Sequence, residues 1–296
     1  MFNAHHIQIQ SLKSALWKNV QCHVLRLDEL HPVVSGNKWF KLKYYLEEAK
    51  HEQKNTIATF GGAYSNHIVA AAFACKEAGL NAVGFIRGEE PSTPSDSLKE
   101  ALQYGMQLVY VSREEYKQKR HIIQQYPNEK WYWVNEGGYG RTGVKGAGEI
   151  LSATDVSSYT HIICACGTGT TLAGLIAATA PHQTCIGVSA LKGHVNLRND
   201  VMDLLPPSHQ SNNFEVLNDH HFGGYAKHPA NLIEWMNELW HAERLPTDII
   251  YTSKLMYAVK DLIEKQYFSA QDKILIIHSG GLQGNRSLPT GTLAFL

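Results

Sequence analysis

Short apolar or β-branched runs that end in glycine or small polar residues alternate with helical patterns along almost the whole chain. Thr56-Ile57-Ala58-Thr59-Phe60 closes on Gly61-Gly62 and gives way to a helix that stops at Gly79. The unit recurs as strand Ala82 to Ile86, helix Ser95 to Tyr104 stopped by Gly105, strand Gln107 to Val111, helix Arg113 to Tyr126 and strand Trp131 to Val134. Strand-helix-strand spacing of this kind demands crossover connections, so it predicts parallel sheets. Asn135 to Gly143 is dense in glycine and carries the chain into a second set of units. That set holds a helix from Val144 to Ser152 and strands His161 to Cys166, Thr184 to Ser189, Ile249 to Tyr251 and Lys273 to Ile277. Leu232, Trp235, Met236, Leu239 and Trp240 form a helical stripe suited to a core, and Ser253 to Lys265 reads as a helix. A strand from His23 to Leu27 precedes these units, and a long polar loop surrounds Pro206-Pro207-Ser208. The expected fold class is α/β, with two domains, each an open, mostly parallel sheet flanked by helices. The smaller is an insertion of residues 43–136 within a larger domain of residues 1–42 and 137–296.

Composition narrows the function. The chain has 296 residues, with Lys+Arg and Asp+Glu both at 27, so no basic excess exists to grip nucleic acid. No apolar run approaches the roughly 20 residues that a bilayer span needs. Met1 to Gln10 is polar, with His5 and His6 and without an Arg-rich amphipathic pattern, so a cytoplasmic protein with a small-molecule partner is expected. Cys164 and Cys166 alternate with apolar residues at strand spacing, and five cysteines are an odd set, which suits reduced core thiols. The histidines form no metal-binding helix motif, and no metal is expected.

Three turns carry chemistry. Lys38 follows Ser35-Gly36-Asn37 at the mouth of a helix, where the dipole and any burial disfavour its charged form and leave a nucleophilic amine. Cys166-Gly167-Thr168-Gly169-Thr170-Thr171-Leu172 follows a strand and opens a helix, an arrangement that binds anions. It lacks both the third glycine of the dinucleotide fingerprint and the Gly-Lys-Ser/Thr of nucleotide loops, which leaves a single phosphomonoester. Ser65-Asn66-His67 sits at another strand-to-helix junction and suits a carboxylate. Tyr251-Thr252 and His278-Ser279 stand at further strand ends, where ligands of open parallel sheets bind. A reactive lysine, a phosphate cup, a carboxylate cup and hydroxyls for a ring nitrogen together specify pyridoxal 5′-phosphate chemistry on an amino acid.

These motifs, with Lys41-Leu42, Asn135-Glu136-Gly137-Gly138, Tyr251-x-x-Lys254 and His278-x-Gly280-Gly281, resemble in order the 1-aminocyclopropane-1-carboxylate deaminase/D-cysteine desulfhydrase family. The resemblance spans nearly the whole chain and implies the tryptophan-synthase-β-like, fold type II architecture with the cofactor in the interdomain cleft. It makes Lys38 the Schiff-base lysine and proton carrier, Asn66 the partner of the pyridine 3′-oxygen, and Ser65 and His67 holders of the substrate carboxylate. Gly167, Thr168, Gly169, Thr170 and Thr171 become the phosphate cup, while Tyr225 and Tyr251 face the substrate. Where deaminases of the family show glutamate and leucine, this chain has Thr252 and Ser279, as the desulfhydrases have small hydroxyl residues, and one of them is expected at the pyridine nitrogen. The implied activity is α,β-elimination on D-cysteine, giving pyruvate, ammonia and sulfide. Alternatives are deamination of 1-aminocyclopropane-1-carboxylate and a non-catalytic anion-binding protein, and the assembly expected is a homodimer.

Overall fold

A computed structural model describes residues 7–34, 36–210 and 213–296. Ser35 and the His5-His6 pair lie outside the described residues. The strands run β1 (Ile9–Ser11), β2 (Gln21–Arg26), β3 (Thr56–Gly61), β4 (Asn81–Arg87), β5 (Met106–Val111), β6 (Trp131–Val134), β7 (His161–Cys166), β8 (Thr184–Ser189), β9 (Phe214–Leu217) and β10 (Lys273–His278). The α-helices are α1 (Asn37–His51), α2 (Asn66–Ala78), α3 (Asp96–Gln103), α4 (Arg113–Tyr116), α5 (Lys119–Gln125), α6 (Arg141–Ser152), α7 (Thr170–Ala178), α8 (Leu197–Leu204), α9 (Ala230–Glu243) and α10 (Thr252–Glu264).

Two sheets result, one ordered β1-β2-β10-β7-β8-β9 and the other β5-β4-β3-β6. Among the described residues all pairings are parallel except β1 with β2. Period-two alternation sorts the central strands of the larger sheet onto two cores. Ile163, Ile274 and Ile276 pack on one face with Trp235, Leu239 and Leu255, while Ile162, Cys164, Leu275 and Ile277 pack on the other with Ala147, Leu172 and Leu175. The fold is therefore α/β, mostly parallel sheets with helices on their faces.

Helix α1 serves both sheets. Phe40 joins the α6–α7 core of the larger sheet, whereas Leu42, Tyr45, Leu46 and Ala49 join the core of the smaller one. A division placed between residues 42 and 43 thus runs through a continuous helix. Residues 249–251, expected as a strand, form a turn. The cause is side-chain competition: Asn285 Oδ1 accepts the Ile249 N–H at 3.0 Å, and Asp248 Oδ2 accepts those of Ile250 and Tyr251 at 2.8 and 3.0 Å, so none is left for a ladder. The helix expected from Arg113 to Tyr126 is two, broken at Lys117-Gln118. Strands β1 and β9 were not legible, since both are short edge strands.

Candidate active site

The ends of β3, β7 and β10 and the starts of α1, α2 and α7 meet around a cavity of about 410 Å³ between the two sheets. Ligands of open parallel sheets bind at such strand ends. Lys38, the second residue of α1, lines this cavity. Its place is set by Gly36, whose φ of 70° suits glycine and whose Cβ, were there one, would lie 1.8 Å from the Ser279 carbonyl oxygen. The Lys38 amine is recessed although one side of its chain is open to the cavity. Burial pushes it down to about 8, against the opposing pull of Asp248. Nζ donates to Asn37 Oδ1 at 2.9 Å, and Asn37 Nδ2 in turn donates to Thr171 Oγ1 at 2.7 Å. One amide therefore couples the lysine to the glycine loop.

That loop ends β7 and opens α7. Gly169 takes φ 79° as the N-cap, and a Cβ there would lie 2.8 Å from Val201 Cγ2, so the close turn requires glycine. No side chain caps α7, which leaves its first backbone N–H groups available to an anion. Gly167, Thr168, Gly169 and Thr171 line the cavity. Thr170 does not: it is fully buried, and its hydroxyl meets that of Thr168 at 3.1 Å.

The opposite wall is the start of α2. Ser65 is its N-cap yet makes no side-chain capping bond, so its hydroxyl and the helix terminus both face the cavity without an internal partner. Among the described residues Asn66 Oδ1 is buried with no hydrogen-bond partner, and Asn66 Nδ2 has only the Gly281 carbonyl at 3.5 Å. His67 also lines the cavity but is differently occupied. Thr59 Oγ1 gives its proton to the Val134 carbonyl at 2.8 Å and so accepts from His67 Nε2 at 2.8 Å. The ring is then a neutral tautomer whose Nδ1 has no proton, and burial, reinforced by Lys38 and Lys41, pushes it down to about 3. A neutral ring with its donor spent cannot hold a carboxylate, which corrects the role expected of His67.

Thr252 requires a second correction. It is fully buried and absent from the cavity wall; its hydroxyl donates to Asp248 Oδ1 at 2.6 Å and accepts from the Asp248 N–H at 2.7 Å. Asp248 caps α10, taking the Thr252 N–H at 2.8 Å as well, and Thr252 belongs to that cap. Ser279 does line the cavity, as do Tyr225 and Tyr251, whose rings meet edge-to-face at 6.2 Å. Burial holds both phenols above their usual range, Tyr251 well above it.

Sequence reasoning gave no role to Lys41, which lines the cavity with 4% exposure. Its amine lies 3.4 Å from the Gly137 carbonyl, and burial together with the Lys38 charge pushes it well below the ordinary lysine range. The spacing of three from Lys38, which puts both on one helix face, was the available signal. Asn37, Arg87 and Glu136 also line the cavity, the last paired with Lys119 at 3.0 Å.

An open helix terminus beside Thr168 and Thr171, two recessed lysines and an orphaned Asn66 amide fit a phosphorylated pyridine aldehyde such as pyridoxal phosphate: anion donors at one end, an amine within the cavity, and a buried amide oxygen that needs a hydroxyl partner. The comparisons agree. A family model described as pyridoxal-phosphate dependent enzyme matches residues 9–280. A Thermotoga maritima protein named as a putative 1-aminocyclopropane-1-carboxylate deaminase is 31% identical, the match covering 88% of this chain and 89% of the relative. An Arabidopsis thaliana bifunctional D-cysteine desulfhydrase/1-aminocyclopropane-1-carboxylate deaminase is 28% identical over 85% of this chain and 70% of its own. Among solved structures, an ACC deaminase homologue superposes with a TM-score of 0.79 at 24% identity, covering 95% of this chain and 90% of the other. The chain belongs to the pyridoxal-phosphate-dependent enzymes, in the family of 1-aminocyclopropane-1-carboxylate deaminases and D-cysteine desulfhydrases.

Proposed function

We propose that the enzyme catalyses α,β-elimination on D-cysteine, converting it with water to pyruvate, ammonia and sulfide. Pyridoxal phosphate, when bound, supplies the electron sink and the covalent link to the amino group. The protein does the rest. Gly167, Thr168, Gly169 and Thr171 with the start of α7 hold the phosphate, and the recessed Lys41 amine, beside the Gly137 carbonyl, lines that side. Asn66 meets the ring hydroxyl. Ser65 and the N-terminus of α2 hold the substrate carboxylate, which orients the Cα–H bond towards Lys38. Lys38 Nζ, steered by Asn37 Oδ1, takes that proton. An amine pushed down to about 8 is neutral in roughly a tenth of molecules at pH 7, against about one in a few thousand for an ordinary lysine. Tyr225 and Tyr251 close the remaining side of the cavity.

The observation that carries elimination over ring-opening deamination is Ser279. It is the hydroxyl residue of the expected pair that reaches the cavity, while Thr252 is sealed in the cap of α10. Glu136, the carboxylate on the cavity wall among the described residues, is paired with Lys119 at 3.0 Å. A hydroxyl at the pyridine nitrogen leaves it a moderate electron sink, which suits prompt expulsion of a β-thiolate over a long-lived carbanion. Comparison of kcat/KM for sulfide release from D-cysteine and for deamination of 1-aminocyclopropane-1-carboxylate, in the wild type and in Ser279→Leu, tests this. The expected result is a wild-type preference for D-cysteine that Ser279→Leu narrows by on the order of ten-fold. A wild-type preference for the cyclopropane would overturn the proposal in favour of deamination.

A further inference from the structure

The loop that carries Tyr225 is strained. Phe222 and Ala226 adopt φ of 50° and 56°, a left-handed region costly for residues with a Cβ, and Gly223 and Gly224 between them take 91° and 114°. Such strain persists only where the surroundings impose it. The surroundings here are one face of α10. Lys254, Tyr257 and Asp261, at spacings of three and four, meet Gly224, Phe222 and His220 in reverse order. Lys254 Nζ donates to the Gly224 carbonyl at 2.7 Å, the Tyr257 and Phe222 rings meet edge-to-face at 4.8 Å, and Asp261 Oδ2 meets His220 Nε2 at 2.8 Å.

The contact nearest the cavity is an expensive one. Lys254 is fully buried, and no carboxylate lies within ion-pair distance of its amine among the described residues. Burial pushes it down to about 8 despite Asp248. An apolar side chain of the same length would avoid that penalty. It would not orphan the Gly224 carbonyl either, because that oxygen also accepts the Lys227 N–H at 3.1 Å. What Lys254 alone supplies is a fixed point for the residue before Tyr225, one turn along the helix from Tyr251, so that both phenols are indexed to the start of α10.

We propose that Lys254 is a positioning residue: it tethers the strained Gly223-Gly224-Tyr225 loop and so holds the Tyr225 ring against Tyr251 over the cavity. The functional consequence rests on the cavity being the active site, but the tether itself does not, and its test has one arm that needs no substrate. Hydrogen exchange of residues 219–228 in the holoenzyme should quicken on the order of ten-fold in Lys254→Met, a protection change expected for a locally released loop. Melting temperature should stay level or rise, since a buried amine has been removed. Unchanged exchange, or a lowered melting temperature with unchanged exchange, overturns the tether and leaves Lys254 an ordinary core residue. The second arm is a double-mutant cycle on kcat/KM. Lys254→Met and Tyr225→Ala should each lower it on the order of ten-fold, and the double variant should be no worse than Tyr225→Ala alone. Additive losses would show that Lys254 does not act through Tyr225. If exchange quickened but neither variant changed turnover, the positioning role would be overturned, because Tyr225 would have no part in catalysis; failure of the active-site reading itself would show instead as turnover that survives Lys38→Ala.

Discussion

Lys38 and Lys254 are both recessed lysines pushed down to about 8 by burial, and both feel Asp248. Their surroundings separate them. Lys38 is part of the cavity wall, and its amine rests on a side-chain amide that can turn aside. Lys254 has no exposed surface, and its amine is fixed to a main-chain carbonyl. A lowered pKa therefore makes an amine ready to react, but only access to a cavity makes it a nucleophile. In Lys254 the same desolvation is the cost of holding a loop.

The comparison breaks most sharply in turnover. Lys38→Ala should lower kcat/KM by at least about 10³-fold, the loss expected when a covalent and proton-transferring group is removed, whereas the effect of Lys254→Met stays near ten-fold. Borohydride reduction of the holoenzyme followed by peptide mapping belongs with that measurement. The pyridoxyl group should be on Lys38, and finding it on Lys41 or Lys254 would undo the assignment.

A smaller effect sharpens the role of access. In the cofactor-free protein an amine-acylating reagent should modify Lys38 with a rate that rises with pH and levels off above about 8, because only the neutral amine attacks. At pH 7 its neutral fraction exceeds that of an exposed lysine by on the order of 10²-fold. Lys254 should remain unlabelled across the same range. Equal labelling of the two, quantified by mass spectrometry, would mean that access does not distinguish them.

The smallest effect comes from the neighbour that shares the burial of Lys38. His67 is held neutral, its folded value pushed down to about 3 from 6.5, so below pH 6.5 the unfolded chain binds a proton that the folded chain refuses. Stability is then full above about pH 6.5 and declines as pH falls towards 3, by about 2 kcal/mol at pH 5. Urea unfolding at pH 7 and pH 5 should show this loss in the wild type and less of it in His67→Gln. An equal loss in both would assign the acid sensitivity to other groups.

Local chemistry in the sequence was enough for the parallel strands other than β9, whose apolar or β-branched runs are short and bounded, and for the lysine and the two helix-start turns, because each of these signals lies within a few neighbouring residues. The same local signals placed Lys38, Ser65, Asn66, the glycine loop and Ser279, all of which, Thr170 of that loop apart, the cavity gathers. Three features depended on which partner a group meets once the chain is folded, whether that partner is four, eight or 36 residues away. Thr252 looks like a free hydroxyl until Asp248 folds back on it, the Ile249 N–H finds Asn285 instead of a strand partner, and His67 loses its donor to Thr59 on a neighbouring strand. Lys41 and Lys254 differ from surface lysines only through what packs around them. Sequence alone determined which groups could react, since that is a property of residue types at turns; tertiary structure decided which of them face the cavity and which are sealed away, since hydrogen-bond partners and desolvation exist only once the two sheets close around the cavity.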